Sequence, residues 1–172
     1  MDRFDDFIDR VLTHEGGWSE DPADPGNWTG GKPGVGELKG TKYGIAANTY
    51  PHLDIRNLTR DQAKAIYRRD FWQAARCDVL PPLVGFQLLD AAVNSGIGRA
   101  ARWLQLAAGV TADGKIGPKT LGALQSIDPN DLCYLFLAER LDFLNDLSTF
   151  TRYGRGWTQR IIENLRWAAK DN

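Results

Sequence analysis

The segment from residue 18 to residue 44 is crowded with glycine, proline, aspartate and asparagine. It is too polar to form an element of a core, and it is too long for a simple turn. Unstructured segments of this length in compact domains usually serve binding or catalysis. The sequence therefore predicts a functional loop, or a small irregular hairpin, at this point of the chain.

An amphipathic helix is predicted immediately before this segment. Residues 2 to 14 carry apolar side chains at helical spacing and acidic side chains in the first turn, where the helix dipole favours them. Gly16 and Gly17 end the pattern. The apolar residues of this helix are Phe4, Phe7, Ile8, Val11 and Leu12.

Most of the remaining chain also has a helical pattern. A capping box at Thr59 and Gln62 begins a helix that we expect to run to about Cys77, and Pro82 begins another. The sequence predicts a predominantly α fold, a helical bundle with an irregular loop or small hairpin after the first helix. Further helices are predicted over 99 to 108, up to about Ile127, after Asp128, and from Trp157 onward, where Gly154 and Gly156 separate the last two.

Composition limits the class of protein. Of the 172 residues, 42% are hydrophobic and 25% are charged, so the chain does not lack the apolar surface that folding requires. The net charge of −1 provides no bulk attraction for nucleic acid. No apolar run is long enough to cross a bilayer, and the acidic start has the wrong sign for a secretory signal. We therefore expect a soluble chain made in the cytoplasm without a signal peptide.

We expect neither a metal nor a cofactor. The chain has two histidines, His14 and His52, and two cysteines, Cys77 and Cys133. The cysteines are too far apart for a metal-binding knuckle, and we predict that both are buried free thiols. A zinc amidase or a cysteine peptidase is disfavoured, because each needs histidine or cysteine ligands and partners that this sequence does not cluster.

Glu15 is the candidate general acid. At about 100° per residue, it falls about 20° from Phe4 on the helical projection, so we predict that it points towards the core. The last turn of a helix disfavours a carboxylate by a few tenths to about 1 kcal/mol. Both effects favour the protonated form and predict a raised pKa, as a proton donor near neutral pH requires. The structural alternative is a salt bridge to Arg69 or Arg76.

A series of short motifs begins at this glutamate and continues along the chain. It consists of Glu-Gly-Gly-Trp at 15 to 18, Asp-Pro at 21 to 22, Asp-Pro-Gly at 24 to 26, Thr-Lys-Tyr-Gly-Ile at 41 to 45, Phe-Trp at 71 to 72 and Asp-Ala-Ala-Val-Asn-Ser-Gly at 90 to 96. In this order the motifs resemble the phage-type N-acetylmuramidases of glycoside hydrolase family 108, over roughly residues 5 to 96. The resemblance implies an α+β lysozyme-like fold. It also implies cleavage of the β-1,4 bond between N-acetylmuramic acid and N-acetylglucosamine, with Glu15 as the general acid.

The resemblance implies partners for Glu15. In related phage lysozymes an acid lies nine positions after the catalytic glutamate and a threonine stands further on, which corresponds here to Asp24 and Thr41. Asp21 competes with Asp24 for the role of second carboxylate, and Thr41 would hold the attacking water. Glycoside hydrolysis needs one carboxylic acid that protonates the leaving oxygen and a second, ionised group. A solvated polar loop keeps its acids ionised.

Aromatic residues are candidates for sugar binding, because their faces stack on the apolar faces of sugars. Trp18, Trp28, Tyr43 and Trp72 are all considered, and their alternative role is core packing. Trp28 is the preferred platform, since its glycine and asparagine neighbours are unfit for a core. The predicted substrate-binding residues are Trp28, Tyr43, Asp21, Trp72 and Asn94.

The second half of the chain has motifs of its own. They are Arg-Trp-Leu-Gln at 102 to 105, Gly-Val at 109 to 110 and Asp-Gly-Lys-Ile-Gly-Pro-Lys-Thr at 113 to 120. They resemble the repeat of small helical peptidoglycan-binding modules, over about residues 90 to 165. The resemblance implies that this half grips the cell wall or supports the catalytic lobe. We predict a lysozyme-like catalytic lobe over 1–96 and a peptidoglycan-binding-like lobe over 97–172, packed closely against it.

The last predicted helix and the residues just before it are rich in basic side chains, namely Arg152, Arg155, Arg160, Arg166 and Lys170. A basic amphipathic helix attracts anionic membrane or lipopolysaccharide, or it is simply a solvated face. The family resemblance implies an endolysin that lyses bacteria, and we expect the chain to be a monomer. It would be made in the host bacterial cytoplasm, released by a holin-type pore and active on peptidoglycan in the periplasm. A lytic transglycosylase and a non-catalytic peptidoglycan-binding protein are the alternatives.

Overall fold

The computed structural model describes residues 3–14 and 17–172. Within these residues, helices dominate and the one sheet is small, which confirms the prediction of a predominantly α fold. The α-helices are α1 (Phe4–His14), α2 (Arg60–Tyr67), α3 (Pro82–Ser95), α4 (Ile97–Ala107), α5 (Pro118–Leu124), α6 (Pro129–Asn145) and α7 (Phe150–Asp171). The strands are β1 (Thr41–Lys42) and β2 (Ile45–Ala46), which pair antiparallel.

Contacts within the chain separate two compact units, Met1–Arg69 and Asp70–Asn172. The first unit contains α1, the polar segment, the hairpin and α2, and the second contains α3 to α7. The predicted division at residue 96, between a catalytic and a wall-binding lobe, stays a prediction.

Helix α1 buries the apolar face that its sequence predicts. Phe4, Phe7, Ile8 and Val11 are almost completely buried. Helix α2 is tied to α1 by Asp9, whose Oδ1 lies 2.8 Å from both the Lys64 Nζ and an Arg60 guanidinium nitrogen. These hydrogen bonds, with Lys64 the larger cause, hold the pKa of Asp9 below its usual value.

The polar segment folds as an irregular loop that leads into a small hairpin of two two-residue strands. Thr41 pairs with Ala46 and Lys42 with Ile45, so the hairpin turns at Tyr43 and Gly44. Isolated bridges between Ser19 and Thr41 and between Trp28 and Leu38 fold the loop back on itself. Several side chains of the hairpin and of the segment that follows it are buried, namely Ile45, Ala47, Ile55 and Leu58.

The capping box at the start of α2 is confirmed. The Thr59 hydroxyl accepts a hydrogen bond from the Gln62 amide at 3.2 Å, and the Gln62 side chain accepts one from the Thr59 amide at 2.9 Å. The expectation that this helix runs to about Cys77 is wrong, because α2 gives way to a π-helix at Arg68–Gln73. Apolar spacing over a single turn does not distinguish an α-helix from this wider turn.

Helix α3 is the centre of the second unit. It is buried on almost every side, and it packs against α4, α6 and α7. A helix that is apolar around its whole circumference belongs in an interior, which explains its position. Its two buried polar residues, Gln87 and Asp90, both bond to α7.

Helix α7 is longer than predicted. Gly154 and Gly156 lie inside it, so the expectation that they separate two helices is wrong. A Cβ added to Gly154 would lie 2.8 Å from the Phe150 ring, so this glycine gives the ring room to pack. A glycine within a helix costs about 1 kcal/mol relative to alanine, which packing along a long helix can offset. None of the described helices combines the length and apolar character needed to cross a membrane.

Candidate functional site

The predicted site residues fall in both units. Thr41, Asp21, Asp24, Trp28 and Tyr43 belong to the first unit, and Trp72 and Asn94 belong to the second. Glu15 lies outside the described residues, so its raised pKa and its alternative salt bridge stay predictions.

Asn27 joins the parts of the polar loop and is completely buried. Its side-chain amide donates to the Asp21 carbonyl at 3.0 Å, and its Oδ1 accepts from the Thr41 hydroxyl at 2.7 Å. Its backbone carbonyl accepts from the amides of Lys39 and Gly40. One buried side chain therefore connects the turn at Asp21 to the strand that carries Thr41. The sequence does not single out Asn27, because its local context is that of an ordinary turn residue.

The Thr41 hydroxyl has a defined orientation. It donates its proton to Asn27 Oδ1, so the remaining capacity of this oxygen is to accept a hydrogen bond. The Thr41 backbone is fixed by the bridge to Ser19, with N···O distances of 2.8 and 2.9 Å. A water molecule that donates a hydrogen bond to the Thr41 hydroxyl oxygen would have its lone pairs directed away from Thr41. A water held in this way could attack as a nucleophile.

Asp21 and Asp24 are exposed carboxylates on one turn. Asp21 Oδ1 accepts from the Ala23 amide at 2.9 Å, and Asp24 Oδ1 accepts from the Gly26 amide at 2.8 Å. Asp24 thereby caps the short 3-10 helix Pro25–Asn27. Each side chain has a turn-forming role that uses one oxygen and leaves the other open for substrate or water.

Trp28 and Tyr43 are both partly buried. The Trp28 indole donates to the Pro22 carbonyl at 2.9 Å, which ties the ring to the turn of Asp21 and Asp24. Tyr43 has a φ of 53°, a left-handed conformation that is unfavourable for a bulky residue. Its carbonyl accepts from the Tyr67 hydroxyl at 2.9 Å. Strained backbone of this kind concentrates at functional sites.

Trp72 and Asn94 have different environments in the second unit. Trp72 is only 4% exposed, so its ring offers little surface to a sugar, as in the core-packing alternative. Asn94 is exposed, and its Oδ1 accepts from an Arg140 guanidinium nitrogen at 3.2 Å. The substrate-binding roles of both residues stay predictions.

A buried charged cluster lies behind Asn94. Asp90 is 1% exposed and accepts from Arg140 at 2.6 Å, from Asn164 at 2.8 Å and from Arg160 at 3.0 Å. Burial alone would raise the pKa of Asp90, but the two guanidiniums hold that pKa well below its usual value. The cluster links α3, α6 and α7. Arg160 is thus drawn into the interior, whereas the other basic residues of α7 are exposed.

Gln105 organises the loop before α5. It is 1% exposed, and its Nε2 donates to Asp113 Oδ1 at 2.7 Å, to the Lys115 carbonyl at 3.1 Å and to the Thr120 hydroxyl at 3.1 Å. Its Oε1 accepts from the Gly114 amide at 2.8 Å. The hydrogen bond from Gln105 is the main reason why the pKa of Asp113 is lowered. The Asp-Gly motif is therefore shaped by one glutamine from α4.

The described cysteines and acids are not grouped as a metal site. Cys77 and Cys133 are buried free thiols, as predicted, and burial raises both thiol pKa values, that of Cys133 to about 11. Over 3–14 and 17–172, no three histidine, cysteine, aspartate or glutamate side chains are grouped closely enough to hold a metal ion.

Comparison with known proteins shows which family the chain belongs to. The structure of Brucella abortus SagA is similar to this chain, with a TM-score of 0.80 and 32% sequence identity over 97% of this chain and 94% of that chain. The model of the family Glycosyl hydrolase 108 matches residues 8–96. The chain belongs to the glycosyl hydrolase 108 family. Membership confirms the resemblance and makes the chain a peptidoglycan hydrolase with lysozyme, or N-acetylmuramidase, activity.

The second half of this glycosyl hydrolase 108 protein matches a different family model. Residues 99–162 match the model described as Predicted Peptidoglycan domain. This match confirms peptidoglycan as the partner and accounts for the motifs at 102 to 120. No curated protein matches the chain.

Proposed function

We propose that Glu15 is the general acid of this glycosyl hydrolase 108 protein and that Thr41 holds the attacking water. The observation that carries the second assignment is the hydrogen bond from the Thr41 hydroxyl to the buried Asn27, which leaves the hydroxyl oxygen free to accept from water. The same asparagine bonds to the Asp21 carbonyl, so the turn that carries Asp21 and Asp24 is held to the strand of Thr41.

The proposed reaction uses these groups in one sequence. Glu15 gives its proton to the glycosidic oxygen as the bond between that oxygen and C1 of the muramic acid breaks. An ionised carboxylate of the turn, from Asp24 or Asp21, stabilises the positive charge that develops at C1 and accepts a proton from water. The water held by Thr41 forms the new bond to C1. The products are two saccharides, one of which has a reducing muramic acid end.

Asp24 is our proposed second carboxylate, with Asp21 as the alternative. Asp24 has the spacing from Glu15 that the related enzymes have, and it caps the 3-10 helix that ends at Asn27. Its turn hydrogen bond uses only Oδ1, so Oδ2 can face the substrate. The choice is testable because each aspartate has an isosteric amide replacement that keeps an oxygen acceptor for its turn.

The test is digestion of purified peptidoglycan by wild-type protein and by Glu15→Gln, Asp24→Asn, Asp21→Asn, Thr41→Val and Thr41→Ser variants. Fragments are identified by mass and by reducing ends. We expect reducing muramic acid ends from wild type, almost none from Glu15→Gln, and a greater loss from Asp24→Asn than from Asp21→Asn. Thr41→Ser keeps the hydroxyl and should retain more activity than Thr41→Val. Anhydro ends would indicate a transglycosylase, and undiminished cleavage by Glu15→Gln would remove that residue from the mechanism.

We also propose that the chain acts as a monomeric endolysin that reaches the wall through a holin-type pore and lyses the cell. The exposed basic residues of α7 are compatible with attraction to anionic membrane or lipopolysaccharide. Expression of the chain in a bacterial cytoplasm with and without a pore protein tests the release step. Lysis that needs the pore supports the proposal, and lysis without it contradicts the proposal.

A further inference from the structure

An open cleft of about 320 Å³ lies beside the hairpin in the first unit. Its lining includes the apolar Ile55 and Leu38 and the aromatic Trp18. The charged residues that line it are the cations Lys39 and Arg56 and the acids Glu20 and Asp54. This volume is within the range of pockets that hold small ligands. The cleft combines an aromatic ring with charged groups, which is the pattern expected for a ligand that is partly apolar and partly ionic.

Trp18 is placed in this cleft by the fold of the loop. It precedes Ser19, whose bridge to Thr41 fixes the backbone next to the residue that we propose holds the attacking water. A Cβ on Gly40 would lie 2.7 Å from the Trp18 ring and 2.5 Å from the Ser19 carbonyl oxygen, so the ring rests directly on a glycine. Trp18 nevertheless remains 37% exposed. A rigidly seated and exposed indole next to the strand of Thr41 is a suitable platform for a sugar ring.

Arg56 is one of the two cations that line the cleft. Its guanidinium lies 5.8 Å from the centre of the Trp18 ring, and the side chain is exposed. Among the described residues it makes no ion pair, whereas Lys39 lies 3.2 Å from Glu37 and donates to the Pro51 carbonyl at 2.8 Å. Arg56 is therefore the cation of this cleft that is free to bind an anionic group directly.

Asp54 does not cancel this charge by direct pairing. Its carboxylate accepts from the Asn57 side chain at 2.8 Å and from the Asn57 amide at 3.3 Å. These hydrogen bonds are the main reason for its lowered pKa, with smaller contributions from the charges of Lys39 and Arg56. Because the oxygens of Asp54 face Asn57, the Arg56 guanidinium keeps its hydrogen-bond donors for a ligand.

We propose that this cleft binds the part of peptidoglycan where the peptide joins the glycan. A sugar ring stacks on Trp18, and Arg56 binds a carboxylate of the stem peptide. The proposal rests on the peptidoglycan hydrolase function, and it adds a preference for glycan that still carries its peptides. Peptidoglycan is the substrate of this family, and its peptides supply carboxylates at a short distance from the sugar, which matches the neighbouring ring and cation of the cleft.

The test measures binding of two soluble tetrasaccharides of alternating N-acetylglucosamine and N-acetylmuramic acid, one with stem peptides and one stripped of them. Titration calorimetry uses the full chain with Glu15→Gln, which prevents hydrolysis during the titration. We expect tighter binding of the peptide-bearing ligand. In the same background, Arg56→Gln should weaken binding of that ligand by up to about fivefold and reduce its advantage over the stripped one, as an exposed ion pair predicts.

Two variants of Trp18 and one control variant separate the contribution of the ring from that of the charge. Trp18→Ala should weaken binding of both tetrasaccharides about fivefold to tenfold, and Trp18→Phe should recover part of that loss. Lys32→Gln removes an exposed cation of the same loop that does not line the cleft, and we expect no change. Circular dichroism verifies that each variant is folded.

The outcomes distinguish the cleft from the catalytic proposal. Equal losses for both ligands with Arg56→Gln would overturn the peptide assignment, and unchanged binding with Trp18→Ala would overturn the subsite. Either result is compatible with normal cleavage of the wall by wild type. Conversely, a wild-type protein that binds the tetrasaccharides as expected but releases no reducing ends would contradict the proposed reaction and leave the subsite intact.

Discussion

The Thr41 hydroxyl donates to Asn27 Oδ1 at 2.7 Å, and the two residues are 14 positions apart in the chain. Asn27 has no exposed surface, so this hydrogen bond is formed at the buried side of the loop. It therefore orients the Thr41 hydroxyl from the buried side of the loop. The orientation of the proposed water-binding hydroxyl is thus a property of the loop fold, and we propose Asn27 as its positioning residue.

Replacement of Asn27 by alanine should lower both stability and turnover. It leaves the Asp21 carbonyl and the Thr41 hydroxyl without their partner, and a buried polar group left unpaired costs about 1–3 kcal/mol. We expect a loss of this size in the free energy of unfolding from urea titration. We also expect a lower kcat with a smaller change in KM, because the water loses its orientation.

A double-mutant cycle separates the specific bond from general damage to the loop. Asn27→Ala, Thr41→Val and the double variant should give a coupling energy of about 1 kcal/mol in stability. Additive effects on stability and on kcat would show that Asn27 does not act through Thr41.

The left-handed backbone conformation of Tyr43 is expected to lower the free energy of unfolding. A bulky residue in the left-handed region costs about 1–2 kcal/mol, and asparagine is preferred at the first position of a two-residue hairpin turn. Tyr43→Asn should therefore raise the free energy of unfolding by up to about 1 kcal/mol, offset in part by loss of the contact between Lys42 and the ring.

The same substitution tests the substrate-binding prediction for Tyr43. If the ring contacts sugar, KM for peptidoglycan rises in Tyr43→Asn although the fold is more stable, while Tyr43→Phe keeps a KM near that of wild type. A more stable variant with unchanged KM would leave Tyr43 with a structural role only.

Asp90→Asn should be strongly destabilising. The substitution leaves Arg140 and Arg160 buried or partly buried without their carboxylate, and breaking a buried ion pair costs about 3–5 kcal/mol. Urea unfolding at neutral pH measures the loss. Asp146→Asn, at the exposed end of α6, is the matched control and should change stability little.

The same aspartate predicts a dependence of stability on pH. The pKa of Asp90 is lower in the folded protein than the unfolded value of about 3.9, so its contribution is present above about pH 4 and is lost as the pH falls further. Wild type should lose more unfolding free energy than Asp90→Asn between pH 6 and about pH 3. Parallel pH profiles of the two proteins would contradict this assignment.

Gln105→Leu should disrupt the loop of the peptidoglycan-binding domain. The change removes three donated hydrogen bonds and one accepted bond from a buried side chain of similar size. We expect a loss of at least about 1–3 kcal/mol and weaker co-sedimentation with purified peptidoglycan. Gln125→Leu, at an exposed position after α5, should leave both measurements unchanged. Full wall binding by Gln105→Leu would show that this loop does not contribute to it.

Several features were predictable from the sequence because each depends on residues close together in the chain. The apolar face of α1 follows from a spacing of three and four residues, and the capping box from Thr59 and Gln62. The loop and hairpin follow from their glycine, proline and asparagine content. The family follows from short motifs in a specific order, with Glu15 in the first of them.

Other features depend on packing that local patterns do not specify. Gly154 resembled a helix break, but its space is filled by the Phe150 ring. Arg160 resembled one more cation of a basic helix, yet it reaches the buried Asp90. Asn27 resembled a turn residue until its contacts across the loop were known.

The amino-acid sequence alone determined the helical class, the position of the polar loop and the family, because local periodicity, turn chemistry and ordered motifs are all properties of neighbouring residues. Only the tertiary structure decided which polar groups meet: Thr41 with Asn27, Arg160 with Asp90 and Trp18 with Arg56. These pairs are separated by many residues, and their formation depends on how the chain is buried and which hydrogen-bond partners the interior leaves available.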